Sequence, residues 1–128
     1  MIEMIAHFIL YIRNQELSTL FYASVLNAQP SLDVPGMTEF QLSDTSILGL
    51  MPEAGIKRLL SERLPDPAAG YGIPRAELYL RVPDAPQYHA RALAAGALEL
   101  SPPLQRDWGD TVSYCLDPDG HVVAFADA

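Results

Sequence analysis

His7 and Glu77 are the residues of this chain whose types best suit chemistry. A histidine and a carboxylate can together ligate a divalent cation or move a proton. Each opens a short apolar run, HFILYI at 7–12 and ELYLRV at 77–82, so the two are equivalent positions in two copies of one unit. Aromatic residues fall near them. Tyr11 and Tyr79 lie on the same runs, Tyr114 on a later one, and Trp108 in a polar stretch with Arg106, Asp107 and Asp110. Aromatic walls with a few polar tips suit a flat organic ligand, which makes Tyr11, Tyr79, Arg81, Trp108 and Tyr114 the candidate binding residues. Plainer roles compete: a neutral His7 hydrogen-bonded in a pocket, Glu77 ion-paired with Arg81 two residues along its strand, and aromatic rings packed as core.

The elements that must position these residues follow from periodicity. Residues 5–12 are apolar almost without interruption and predict a strand buried on both faces, with His7, Ile9 and Tyr11 on one side. Asn14 caps the next helix, whose apolar stripe is Leu17, Leu20, Phe21, Val25 and Leu26 and which ends near Asn27. Phe21 and Tyr22 pack against the sheet. Strands follow at about 29–34, 37–42 and 46–51, with Pro35-Gly36 as a turn. The stretch 52–74 holds four prolines and reads as a linker with a short helix near 54–62. The second copy has a strand at 76–82 with Glu77, Tyr79 and Arg81 on one face. Its helix is capped by Asp84 and ended by Gly96, and strands follow at about 97–107, 111–116 and 121–126. His89 reads as solvated on a surface helix, and Cys115 as a buried structural thiol.

Composition narrows the partners. The length of 128 residues suits one domain with a real core. The net charge of −8 argues against nucleic acid and suits either solubility or a cationic ligand. A single cysteine makes no internal disulfide, which fits a reducing cytoplasm. No apolar run approaches the roughly 20 residues of a membrane span, and the opening MIEMIAHF lacks the basic region of a signal peptide.

In chain order, His7 on its strand, FYASVL at 21–26, Trp108-Gly109 and DPDGH at 117–121 resemble the glyoxalase / bleomycin-resistance / extradiol-dioxygenase (vicinal oxygen chelate) superfamily over nearly the whole sequence. The resemblance implies an α+β fold of two tandem βαβββ units forming a curved mixed sheet around a cup, within a single domain: unit one about 1–52, linker about 53–74, unit two about 75–128. It implies a divalent metal such as nickel, zinc or manganese, held at positions that fall here on His7, Gly49, Glu77 and Ala124. Gly49 and Ala124 offer no donor atom, whereas a catalytic metal ordinarily takes about three protein ligands. No metal ligand is therefore firm, His7 and Glu77 being the pair if any, and no cofactor is expected. Glu39, Asp44, Tyr114 and His121 carry donors on neighbouring strands but lie off the family positions. The resemblance thus implies a small-molecule-binding protein with a degenerate metal site, sequestering or resistance-like, for a ligand of aromatic or cationic character. The alternative is a metal-dependent lyase or isomerase of the glyoxalase type, or a proton-transfer enzyme using His7 and Glu77. It also implies a homodimer, in which the two residues of one cup come from one chain or from two.

Overall fold

The computed structural model describes residues 4–128. Its elements are β1 (Ala6–Ile12), α1 (Gln15–Leu26), β2 (Leu32–Val34), β3 (Met37–Ser43), β4 (Ser46–Pro52), α2 (Glu53–Leu60), β5 (Glu77–Val82), α3 (Ala85–Ala94), β6 (Leu98–Gln105), β7 (Thr111–Leu116) and β8 (Val122–Asp127). Two short 3-10 turns, Ser61–Arg63 and Pro67–Gly70, follow α2. The α+β chain forms two compact units. One closes at Gly70 and the other opens at Tyr71, and the last turn of α1, Ser24–Asn27, belongs to the second.

Each unit carries one four-stranded mixed sheet, ordered β1-β4-β3-β2 in the first and β5-β8-β7-β6 in the second. In both, the opening strand runs parallel to the closing strand and the remaining pairs are antiparallel. A parallel pair needs a long crossover, and the intervening helix and hairpin strands supply it. The expected βαβββ repeat is thus realised as two sheets of identical strand order.

In the first unit Asn14 caps α1, accepting from the Leu17 amide at 3.0 Å. Gln15 ties the helix to the β2–β3 hairpin: its Nε2 donates to the Val34 carbonyl at 2.8 Å and to Thr38 Oγ1 at 2.9 Å, and its Oε1 accepts from the Gly36 amide at 3.0 Å. One face of the sheet buries Ile12, Thr38, Phe40, Leu48 and Leu50 completely. Two expectations fail here. Leu17 and Leu20 are exposed, because α1 buries the neighbouring stripe of Ser18, Phe21, Tyr22 and Val25, and Ser18 hides that stripe in the sequence. Nor is β1 buried on both faces: Phe8 is 58% exposed and Ile9 41%, because β1 lies at the edge of its sheet and pairs only with β4.

In the second unit Asp84 adopts a left-handed conformation and its carboxylate accepts from the Gln87 amide, capping α3. This helix covers the sheet face that carries Cys115, Val123 and Phe125, with Tyr88 against Phe125 at 5.9 Å between ring centres. His89 is buried, not solvated. With Ala85 and Ala92 it makes the inward stripe at i, i+4, i+7, which two small alanines conceal in the sequence. Its Nε2 lies 2.8 Å from Glu99 Oε2. The opposite sheet edge, β6, contains Pro102 and Pro103, a residue type confined to edges because it withdraws an N–H donor. The DPDG turn is an Asx turn: Asp117 Oδ1 accepts from the amides of Asp119 and His121, both at 2.9 Å, and Gly120 supplies the positive φ of 85°.

Cys115 is fully buried, and burial pushes its thiol up to about 11. Only the thiolate attacks a disulfide reagent. The folded protein should therefore react with such a reagent at pH 8 at least about 100-fold more slowly than a free cysteine thiol. One thiol per chain should be released in full on denaturation, as followed by absorbance.

Candidate functional site

Strand alternation gives each sheet a second face, opposite the one described above. In the first sheet that face holds His7, Ile9 and Tyr11 of β1, Gly49 of β4, and Met37 and Glu39 of β3; the register aligns Ile9, Gly49 and Glu39 in one row. His7 Nδ1 lies 3.4 Å from Glu39 Oε2, so the partner of His7 is a carboxylate two strands away. Tyr11 lies further along β1, half-buried and opposite Met51.

In the second sheet the corresponding face holds Glu77, Tyr79 and Arg81 of β5, Ala124 and Ala126 of β8, and Val112 and Tyr114 of β7. Tyr79 and Tyr114 sit on either side of Ala124 and pack on the small cluster of Val112, Ala124 and Ala126. The β6–β7 loop closes on this face. Arg81 forms a two-pronged pair with Asp110, Nη1 to Oδ1 at 3.1 Å and Nη2 to Oδ2 at 2.7 Å. Tyr79 donates its hydroxyl to Asp110 Oδ2 at 2.5 Å and accepts from Trp108 Nε1 at 3.2 Å. Trp108 is otherwise 59% exposed. Hydrogen bonds from Arg81, then from Tyr79, hold the Asp110 carboxyl below its ordinary range. Partial burial, then the bond to Asp110, pushes the Tyr79 hydroxyl up.

Arg81 therefore does not pair with Glu77. It lies toward the loop end of β5, beside Ala126 and the residues that lead into β7, where Asp110 reaches it. Glu77 is exposed at the start of β5 and forms no ion pair among the described residues. Of the sequence candidates, Tyr79, Arg81, Trp108 and Tyr114 come together on one face, while His7 and Tyr11 share the open face of the first sheet. In the sequence Asp110 and Arg106 stand out only as the polar surroundings of Trp108. Their place two residues to either side of it was the available signal. Glu39 entered only as a donor on a neighbouring strand, and its pairing with His7 follows from register rather than from proximity in sequence.

The donor set does not fit a metal of the expected kind. A Cβ at Gly49 would meet Ile9 Cγ1 at 3.0 Å and Met37 Sδ at 3.4 Å, so the space is already taken by apolar side chains. Ala124 is completely buried between two tyrosines. Among the described residues no group of three or more His, Cys, Asp or Glu is arranged to hold a cation.

Comparison with known proteins gives one consistent result. A model of the Glyoxalase/Bleomycin resistance protein/Dioxygenase superfamily matches residues 4–125. A glyoxalase-related enzyme from Fulvimarina pelagi superposes with a TM-score of 0.82 at 21% identity, over 99% of this chain and 89% of that one. A glyoxalase/bleomycin resistance protein/dioxygenase family enzyme from Burkholderia phytofirmans PsJN gives 0.79 at 17%, over 94% and 95%. Protein ATC0852 from Agrobacterium tumefaciens gives 0.71 at 27%, over 94% and 93%. No curated protein matches. Among the described residues no helix is long and apolar enough to cross a membrane.

The Asp110 latch has a defined pH window. A depressed carboxyl contributes stability above its unfolded value of about 3.9 and loses it as pH falls through the lower folded value. A raised phenol contributes below about 10 and loses it as pH rises through the folded value. The indole N–H resonance of Trp108 should therefore hold its position between these limits and move toward that of free tryptophan in acid. In Asp110→Ala the free-like position should already be present at pH 7.

Proposed function

The chain belongs to the glyoxalase/bleomycin resistance protein/dioxygenase superfamily, and from that premise we propose that it is a binding member, capturing a small, partly aromatic organic molecule without a catalytic metal. One observation carries this reading: the two closing-strand positions that supply metal donors in the family are occupied here by Gly49, crowded by Ile9 and Met37, and by Ala124, flanked by Tyr79 and Tyr114. Where a metal would need oxygen or nitrogen donors, this protein offers apolar and aromatic surface. Such surface with a few fixed polar groups is what an organic ligand requires. The aromatic residues of the second sheet form the binding face, and sequestration is the activity.

The alternative is proton transfer without metal, and His7 supports it. With Glu39 beside Nδ1, the imidazole is oriented and its Nε2 remains available to a substrate. Nickel, zinc or manganese held by His7 and Glu77 is the weaker form of this alternative, since two protein ligands leave most of the coordination shell to water. A reducing cytoplasm suits the lone Cys115 thiol. The exposed apolar side chains of Ile5, Phe8 and Ile9 support a homodimer that covers them.

Metal uptake separates metal-free binding from the metal-dependent form of the alternative. Chelator-treated protein mixed with equimolar nickel, zinc or manganese should show no stoichiometric metal in native mass spectra and no rise in melting temperature. Tight binding at one metal per chain that disappears in His7→Ala would overturn the proposal. For the assembly, light scattering after gel filtration should give twice the 14.0 kDa mass of one chain. A single-chain mass at micromolar concentration would rule out the dimer. Phe8→Glu should push the wild-type dimer toward that single-chain mass.

A further inference from the structure

The geometry points to a planar organic acid as the ligand class: an aromatic ring bearing a carboxylate or similar oxyanion, with its acid group at Arg106. This rests on the binding reading above and adds the sign of charge and the anchoring residue.

Arg106 is the cation on this face without a carboxylate. The charge of Arg81 is balanced by Asp110, which both guanidinium nitrogens grip. Arg106 instead lies over the Tyr114 ring, 5.1 Å from its centre, and one terminal nitrogen, Nη2, donates to Ser101 Oγ at 2.6 Å and to the Val112 carbonyl at 2.8 Å. Both partners are neutral. Its Nε is buried and has no hydrogen-bond partner, and Nη1 makes no bond among the described residues. Nε is enclosed by protein, so Nη1 is the donor left to a ligand, and a half-buried guanidinium with no counter-charge and an unspent Nη1 is an anion site in waiting. The Tyr114 hydroxyl also makes no hydrogen bond among the described residues, so a second donor stands beside the first.

The surroundings suit the rest of such a ligand. Ser101 and Leu104 pair with Tyr114 and Val112 across β6 and β7, which puts Leu104, itself 50% exposed, on the same face. Tyr79 and the Trp108 indole extend the aromatic edge. A ring is thereby offered apolar and aromatic contact while its acid group meets Arg106 and the Tyr114 hydroxyl. The net charge of −8 belongs to the chain as a whole and would favour a cation, but of the acids on this face Asp110 is already consumed by Arg81 and Tyr79, and Glu77 lies two residues back along β5, opposite Val122 and not Ala124. Local pairing, not the total, decides which sign of ligand is accepted.

Trp108 is the only tryptophan, so its indole N–H signal in 15N–1H spectra reads this face directly. Benzoate, benzamide and benzamidine present nearly the same ring with charge of minus one, zero and plus one. Titrated into the wild-type protein at pH 7, benzoate should bind about tenfold more tightly than benzamide, and benzamidine no more tightly than benzamide. Arg106→Gln should bring benzoate down toward the benzamide level, with a much smaller loss for benzamide, which carries no charge. Tyr114→Phe should weaken benzoate several-fold and benzamide less. If Arg106→Gln lowers the melting temperature too far to be used, Arg106→Lys keeps the charge and should keep the preference for benzoate. Benzamidine binding as well as benzoate, unchanged benzoate affinity in Arg106→Gln, or silence of all three probes would overturn this inference. The first two results leave the metal-free binding reading standing. That reading falls to the separate result of stoichiometric metal held through His7.

Discussion

Ala124 of β8 lies between Tyr79 of the edge strand β5 and Tyr114 of β7, and its single methyl group lets both rings pack down against the sheet. A larger residue there would lift them. With the rings down, the Tyr79 hydroxyl is placed to meet Asp110 and Trp108, and the Tyr114 face is placed under Arg106. The β6–β7 loop is then held by bonds to side chains that the small residue allowed into position. Gly49 plays the matching part in the first sheet. Without a side chain at that point, Ile9 and Met37 lean together across β4, and His7 and Glu39 come within reach of each other from strands that are not neighbours. The small residue at the centre of each closing strand therefore determines what the open face of its sheet becomes.

The two faces differ in their electrostatics. The first carries a histidine–carboxylate pair, with His7 Nδ1 3.4 Å from Glu39 Oε2. The second carries two guanidinium groups, one neutralised by Asp110 and one not, with the exposed Glu77 carboxylate at the start of β5. Summing charges over the chain hides this. A protein acidic overall can keep one guanidinium without a counter-charge when the acid of the same loop is spent in pairs, and here Asp110 is spent twice, on Arg81 and on Tyr79.

Much of the architecture was legible in the sequence because period-two and helical patterns, caps and turns report local geometry. The Asn14 and Asp84 caps and the buried Cys115 all lie where pattern placed them. The failures share a cause. Leu17, Leu20, Phe8 and His89 were misplaced because hydrophobicity tells which residues are able to be buried, while the choice among apolar stripes is made by what packs against them. Partners were harder still. Glu77 looked like the mate of Arg81 because both lie on one face of one strand, yet Asp110 reaches the guanidinium from another element. Such contacts are set by strand order and loop direction, which no single segment of sequence reports.

The prolines of β6 bear on how the chain avoids going astray as it folds. Pro102 and Pro103 remove two amide donors from that border of the second sheet, and β2, the border of the first, is only three residues long. Neither can template a foreign strand for long. The remaining borders, β1 and β5, are the opening strands of the repeat, and each emerges during synthesis well before the closing strand that will pair with it. The hazard of mispairing is thus concentrated in the interval between an opening strand and its closing partner, and two copies of the same topology make the wrong partner, the closing strand of the other unit, the natural competitor.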